Sequence, residues 1–296
     1  MENSKKKLLL ICGCPRSGTT LINFVLNSHP EILISNEIDL VKTANQLGEV
    51  IFSKNKKFNK NKITRVRSDV ESWTLDDIKE LMPNDRKLIP KILKLFCLSI
   101  NNSKPALIYG DKTPTYYLYD PEELIQLSIN SSIYIIHITR NPWQVVKSIR
   151  RRTFNSLKGK DYWKSVVTKS DAISHWIRAW NARENLRSHH GIKFLDLNYN
   201  ALIDCPQEGY KLISNFLEIE NNFDEGIISS SRQEAQVDKF NDFKSEPRLR
   251  HYSKIWNEMP LDLTDYNEKI SRSSNSLWNK AKRKVIVSLI RLQRGN

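Results

Sequence analysis

Apolar residues along the chain fall into two kinds of run. Short unbroken runs that end at turn residues have the form of strands buried on both faces. Residues 7–12, 133–139 and 192–197 each hold one, in "LLLIC", "IYIIHIT" and "IKFLDL", and "ALIY" at 106–109 predicts a shorter one. Longer segments repeat their apolar residues every three or four positions, as one face of a helix does. Such segments predict helices at 20–30, 76–81, 87–101, 141–152, 160–190 and 206–218. In the first, Leu21, Phe24, Val25 and Ser28 share a face. Pro142 sits in the first turn of the fourth, where its missing N–H costs nothing. The fifth carries Trp163, Ile173, Trp176, Ile177 and Trp180. Strands alternating with helices predict an α/β fold around a mainly parallel sheet. No repeat or linker divides the chain, so residues 1–296 read as a single domain.

Some segments stand outside this alternation. "SKNKKFNKNKITRVRSD" at 53–69 is polar and strongly basic, and reads as a surface loop. From Lys269 to Asn296 there are eight Lys or Arg and no acid. Within 276–294, Trp278, Ala281, Val285, Leu289 and Leu292 share one helical face. That pattern fits a last helix packed on the domain with a solvated basic side. It also fits a helix lying on an anionic membrane surface as a peripheral contact.

Charge narrows the choice of partner. The chain has 47 Lys and Arg against 33 Asp and Glu, a net charge of +14, which favours an anionic ligand or partner. Lys5–Lys7 followed by Leu8–Cys12 imitates a signal peptide, but an apolar run of five residues is shorter than the ~7–15 a secretory segment needs. No apolar run approaches the ~20 residues of a membrane span. Cys12, Cys14, Cys97 and Cys205 lack zinc spacing, and a reducing, cytoplasmic setting is expected. The histidines do not have metal spacing either, so no metal is expected. His137 reads as a satisfied core side chain, His29 as fixing the turn before Pro30, and His189 and His190 as ending a long helix.

The chemistry concentrates after the first strand. "CGCPRSGTT" at 12–20 places Gly13, four residues, Gly18 and then Thr19-Thr20 between a strand and a helix. This is the context of a phosphate loop, whose glycines allow the turn and whose amides gather at a helix N-terminus. A nucleotide triphosphate loop has Lys where Thr19 stands. Arg16 adds a planar fork suited to phosphate or sulfate oxygens, and Ser17, Thr19 and Thr20 add hydroxyls. Farther along, Arg140 ends a strand and Ser148 follows eight residues later on the next helix. Alone, that pair fits either a second anion site or a surface ion pair beside a polar residue.

Together these motifs resemble the sulfotransferases that use 3′-phosphoadenosine 5′-phosphosulfate (PAPS). "PRSGTTLI" is similar to their 5′-phosphosulfate loop, and "RNPWQVVKS" to their 3′-phosphate motif. The resemblance implies a P-loop-type nucleotide-binding fold and a donor held by Arg16, Ser17, Gly18, Thr19, Thr20, Arg140 and Ser148. It implies that Lys112 of "GDKTP" reaches the oxygen between sulfur and phosphorus, and that Tyr199 lies near the adenine. In the tyrosylprotein branch and many bacterial relatives a carboxylate serves as base. Glu37, twenty-one residues after Arg16, matches that distance better than Asp39. Ser253 and Lys254 of "HYSKIWNEMP" match the segment that closes over the nucleotide. The Arg-Lys-Gly element of the cytosolic phenol and steroid enzymes is absent.

The expected activity is therefore transfer of a sulfuryl group to a hydroxyl of a carbohydrate, peptide or small molecule. Glu37 would act as base, with Arg16 and Lys112 balancing charge. The basic excess would suit an anionic glycan or an acidic peptide. One alternative is a P-loop small-molecule kinase, which the missing lysine disfavours. The other is a non-catalytic binder of polyanions or nucleic acid, which no helix-turn-helix, zinc or aromatic platform supports.

Overall fold

The computed structural model describes residues 7–42, 106–127, 133–157, 169–229, 256 and 259–265. The helices read at 76–81 and 87–101, the basic loop 53–69, Trp163, Ser253, Lys254 and the tail 276–294 lie outside the described residues.

Strands β1 (Lys7–Gly13), β2 (Ile32–Asn36), β3 (Ile108–Lys112), β4 (Ile133–Thr139) and β5 (Ile192–Asn198) form one sheet in the order β2-β3-β1-β4-β5. Every pairing between them is parallel. The unbroken apolar runs follow from this arrangement. Leu8, Leu10 and Cys12 of β1 face one apolar cluster, while Leu9 and Ile11 face another on the opposite side of the sheet.

The connections explain where a ligand can sit. From β1 to β2 the chain moves one way along the sheet, through helix α1 (Thr19–Ser28). From β3 to β4 and on to β5 it moves the other way. Between them come a 3₁₀ turn (Pro114–Leu118) and helices α2 (Pro121–Ile125), α3 (Pro142–Leu157) and α4 (Lys169–Arg187). Right-handed crossovers place these two sets on opposite faces. Ile22, Val25 and Leu26 of α1 accordingly join one cluster, and Tyr116, Leu124, Trp143 and Trp176 the other. The reversal occurs at β1, and the carboxyl end of its strand opens onto the crevice where such sheets bind ligands. After β5, helices α5 (Tyr199–Asp204) and α6 (Pro206–Leu217) return to the face of α1. Leu261 and Leu263 pair with the outer edge of β5: Asn198 N donates to Leu261 O at 2.8 Å and Leu263 N to Asp196 O at 2.8 Å.

Some sequence expectations need correction. The apolar face of α1 that meets the sheet is Ile22, Val25 and Leu26; of the stripe read from the sequence, Val25 is buried and Leu21 packs partly buried on the same cluster, but Phe24 is 59% exposed. Both sets satisfy helical spacing. The strand read at 106–109 runs instead over Ile108–Lys112, because Gly110 and Asp111 pair with β1 and β2 despite their poor strand propensity. The described part of the helix read at 160–190 is Lys169–Arg187.

Candidate active site

The loop after β1 makes two sharp turns. Gly13 has φ 147°, and a Cβ there would lie 2.4 Å from the Ile138 carbonyl oxygen. Gly18 has φ 107° and packs so closely on Tyr199 that a Cβ would meet its ring carbons at 2.2 and 2.4 Å. Only glycine fits either position. Between them Arg16 takes a left-handed φ of 75°, and Ser17 N closes the turn by donating to Cys14 O at 2.9 Å. Gly18 is the N-cap of α1 and supplies no side-chain cap, and the first intrahelical bond runs from Ile22 N to Gly18 O. The amides of the first turn precede that bond and have no intrahelical acceptor, the condition under which a helix N-terminus can take an anion. The Ser17 hydroxyl is buried and has no hydrogen-bond partner among the described residues. Thr19 is buried, whereas Thr20 is exposed.

A second group of side chains converges beside this loop. Arg140 follows β4, and its guanidinium stacks over the Tyr199 ring, 4.4 Å from the centroid. Its Nε donates to Gln144 Oε1 at 2.9 Å, and Nη1 reaches Arg16 O at 3.5 Å. Arg16 Nε in turn donates to Ser148 Oγ at 3.1 Å. Ser148 lies on α3, so Arg16, Arg140, Ser148, Gly18 and Tyr199 form one connected patch drawn from the loop, β4, α3 and α5. Tyr199 is buried, and its ring forms a floor between Gly18 and Arg140.

The third group joins β2 and β3. Lys112 ends β3 and is 1% exposed, yet its ammonium lies 2.7 Å from Glu37 Oε1, a carboxylate 55% exposed in the loop after β2. The same ammonium is 3.5 Å from Thr20 Oγ1, which ties the pair to the phosphate loop. Glu37 and Asp39 both have left-handed backbones, with φ 63° and 56°. Such a conformation persists in non-glycine residues only where the surroundings impose it.

Asp111 imposes it. Its buried carboxylate accepts from Ser35 Oγ at 2.6 Å and Ile38 N at 3.1 Å on Oδ1. On Oδ2 it accepts from Tyr116 OH at 2.6 Å, Thr113 Oγ1 at 2.7 Å and Asp39 N at 3.2 Å. Burial pushes its pKa up, and the hydroxyls of Ser35, Tyr116 and Thr113 pull the other way. Asp39 is itself committed: Tyr119 OH donates to its two oxygens at 2.8 and 2.9 Å. Of the two acids in this loop, Glu37 faces the lysine and Asp39 braces the loop. Nothing in the sequence marks Asp111 as more than a neighbour of Lys112 in "GDKTP". The signal that would have found it is the cluster of hydroxyls at Ser35, Thr113 and Tyr116, which only the β2–β3 pairing brings together.

The histidines have structural places. His29 Nδ1 accepts from Glu31 N at 3.1 Å, fixing the turn around Pro30 as the sequence suggests. His189 Nδ1 accepts from Gly191 N at 3.2 Å, just beyond α4. His137 is buried with Nδ1 2.9 Å from Asp196 Oδ1, and its Nε2 has no hydrogen-bond partner among the described residues. Arg183 donates to Asp196 Oδ2 at 2.8 Å and stacks over Trp180 at 3.5 Å. Burial raises the Asp196 pKa, but His137, Arg183 and Thr139 outweigh it and hold the carboxyl below its ordinary range.

The fold and this site define a class: a parallel α/β protein with a glycine-turned loop and a helix start without a side-chain cap at its switch point, two arginines beside it and a buried lysine opposite a carboxylate. The chain belongs to the sulfotransferase family, whose model matches residues 9–225. Among solved structures it is similar to the sulfotransferase domain of the Synechococcus PCC 7002 olefin synthase, with 20% identity and a TM-score of 0.46, covering 88% of this chain and 91% of that one. It is similar to the sulfotransferase domain from the curacin biosynthetic pathway, with 19% identity and a TM-score of 0.43, covering 75% and 76%. A Mycobacterium avium sulfotransferase aligns at 13% identity and a TM-score of 0.45, covering 91% and 79%. No curated protein matches the chain. Among the described residues no helix is long and apolar enough to cross a membrane.

Proposed function

We propose that the protein transfers a sulfuryl group from PAPS to an acceptor hydroxyl. The observation that carries this reading is the juxtaposition of Lys112, Glu37 and Thr20 at the mouth of a phosphate loop that lacks the triphosphate lysine. PAPS supplies an activated sulfate whose leaving group is a single phosphate. The chain's own residues fit such a donor. The α1 amides, the Ser17 hydroxyl, which has no partner among the described residues, and Arg16 suit its 5′ end, and Arg140 with Ser148 suits its 3′-phosphate. Gly18 and Tyr199 present a flat surface suited to the nucleoside.

In this reading Glu37 accepts the proton of the attacking hydroxyl, because among the described residues of its loop its carboxylate is the one that reaches Lys112, while Asp39 is taken up by Tyr119. Lys112 is held by burial and by Glu37 where negative charge builds on the departing phosphate. A lysine fixed in advance needs no reorganisation during the reaction. Burial alone would make an isolated ammonium costly, so Glu37 also serves to keep Lys112 in place. The net charge of +14 favours an acidic acceptor such as an anionic glycan or acidic peptide.

The test is release of 3′-phosphoadenosine 5′-phosphate (PAP) from PAPS, followed chromatographically with a panel of glycans, phenols and acidic peptides. Acceptor-dependent release without added Mg²⁺ is expected. Consumption of ATP with Mg²⁺, with PAPS left intact whatever acceptor is offered, would point to a kinase instead.

A further inference from the structure

Beside the donor patch lies a chain of side-chain amides that the reading above does not use. Asn200, on α5, places Oδ1 3.2 Å from Asn141 N and 3.0 Å from Trp256 Nε1. Both of those groups can only donate, so the oxygen of Asn200 is assigned by its partners. Its Nδ2 must then face the other way, and it donates to Gln144 Oε1 at 3.1 Å. Gln144 Oε1 also accepts from Arg140 Nε at 2.9 Å, and an arginine Nε–H can only donate. Every group in the chain therefore has one permitted orientation. It runs Trp256, Asn200, Gln144, Arg140.

Arg140 is constrained on other sides as well. Its ring stack on Tyr199 fixes the plane of the guanidinium. Trp176 Nε1 donates to the Arg140 carbonyl at 3.0 Å and holds the backbone. Trp256 is fully buried against Trp176 and Trp180, with centroids 6.1 and 6.0 Å away. Its Nε1 also lies 3.1 Å from Asn198 Oδ1 at the end of β5. A planar ion held by its face still rotates within its plane. The bond from Nε to Gln144 removes that freedom and aims the opposite edge.

We propose that Gln144 and Asn200 are positioning residues that set nucleotide specificity by fixing the rotation of the Arg140 guanidinium, with Trp256 anchoring them to the C-terminal segment. The inference rests on the reading of Arg140 as the 3′-phosphate ligand. Gln144 and Asn200 act through Arg140 and need not touch the nucleotide. The arrangement also couples the C-terminal segment to the donor site, since Trp256 shares its acceptor with the amide of Asn141.

The experiment is calorimetric titration of the full chain and of Gln144→Met and Asn200→Asp with PAP and with AMP. Gln144→Met removes the acceptor for Arg140 at similar volume. Asn200→Asp keeps acceptors for Trp256 and Asn141 but has no donor for Gln144. In both variants PAP affinity is expected to fall about tenfold, the scale of one charge-assisted hydrogen bond, while AMP affinity stays within about twofold. Unchanged PAP binding in both variants overturns the proposal. So does parallel loss of PAP and AMP binding with a lowered Tm, the signature of a general structural role. A wild-type protein that binds PAP and AMP equally overturns the donor reading itself, and is distinguishable because it needs no variant.

Discussion

Lys112 and Glu37 meet twice. The Lys112 ammonium lies 2.7 Å from Glu37 Oε1, and the Lys112 carbonyl accepts the Glu37 amide at 2.8 Å. One residue is almost fully buried and the other mostly exposed, so the pair spans the wall of the crevice. The backbone bond fixes where Glu37 starts, and the ion pair fixes where its carboxylate ends.

This relationship separates the two acids of the loop. Glu37→Gln keeps the shape but cannot take a proton, so turnover is expected to fall by ~10²–10⁴. PAP affinity is not expected to fall, because the variant removes an anion beside Lys112. Asp39→Asn loses an acceptor of Tyr119. It is expected to cost about 1 kcal/mol of stability and to keep turnover within about tenfold. Steady-state sulfate transfer and urea unfolding check both. A dead Asp39→Asn beside an active Glu37→Gln would reverse the assignment.

Asp111 holds the same loop from beneath. Asp111→Asn puts an NH₂ where one carboxylate oxygen now accepts, facing donors from Ser35 and Ile38 or from Tyr116, Thr113 and Asp39. Leaving buried donors without an acceptor costs about 1–3 kcal/mol. At ~2–4 °C per kcal/mol for a chain near this size, a drop in Tm of several degrees is expected. Turnover should fall more than PAP affinity, since Glu37 moves and the phosphate loop does not. Scanning calorimetry and PAP titration of one preparation give both readouts.

Gly18 and Tyr199 are in contact, so they should be energetically coupled. Gly18→Ala forces a Cβ into the Tyr199 ring and strains a backbone at φ 107°. Overpacking of this kind costs about 1–3 kcal/mol. Weaker PAP binding is expected too, because the displaced ring also carries Arg140. In a Tyr199→Ala background the added cost of Gly18→Ala should shrink, leaving the backbone strain. A double-mutant cycle by chemical unfolding measures this; additive costs would contradict the contact.

Asp196 gives the structure a pH dependence of known sign. Its folded pKa lies below the unfolded value of about 3.9 because His137, Arg183 and Thr139 outweigh burial. Its contribution is therefore present above that unfolded value and is lost as pH falls through the depressed folded one. Asp196→Asn leaves Arg183 buried without its carboxylate and should cost about 3–5 kcal/mol at neutral pH. The gap between variant and wild type should narrow on acidification, as urea unfolding at stepped pH would show. A constant gap would mean the carboxylate charge plays no part.

The sequence made the long periodic elements legible because their signal is local. Strand β4 was readable to the residue, and α3 from its proline, since a run of seven buried positions, five of them apolar, and a fixed φ leave few choices. Strand β2 was not, because Ile32–Ile34 is too short a run to distinguish from a loop. The 3₁₀ turn at Pro114–Leu118 has no period to detect. Arg16, Arg140 and Ser148 were legible as a motif because the two arginines follow strands and Ser148 lies at a fixed distance along the helix after Arg140. That Lys112 is buried and paired with Glu37, seventy-five residues away, depends on β2 lying beside β3. Asp111, Gln144 and Asn200 were missed for the same reason, since their roles exist only between elements. The face of α1 misled because two apolar stripes satisfied the same spacing.

The central claim is that the phosphate loop and the Arg140–Ser148 patch together hold a nucleotide with a 3′-phosphate and need no metal. Calorimetric titration of the wild-type chain with PAP, AMP and ATP, each with and without Mg²⁺, tests it most directly. The account requires PAP to bind at least about tenfold more tightly than AMP, the scale of one added charge-assisted contact, with no dependence on Mg²⁺. Equal affinity for PAP and AMP, or tight binding of ATP only when Mg²⁺ is present, would contradict it.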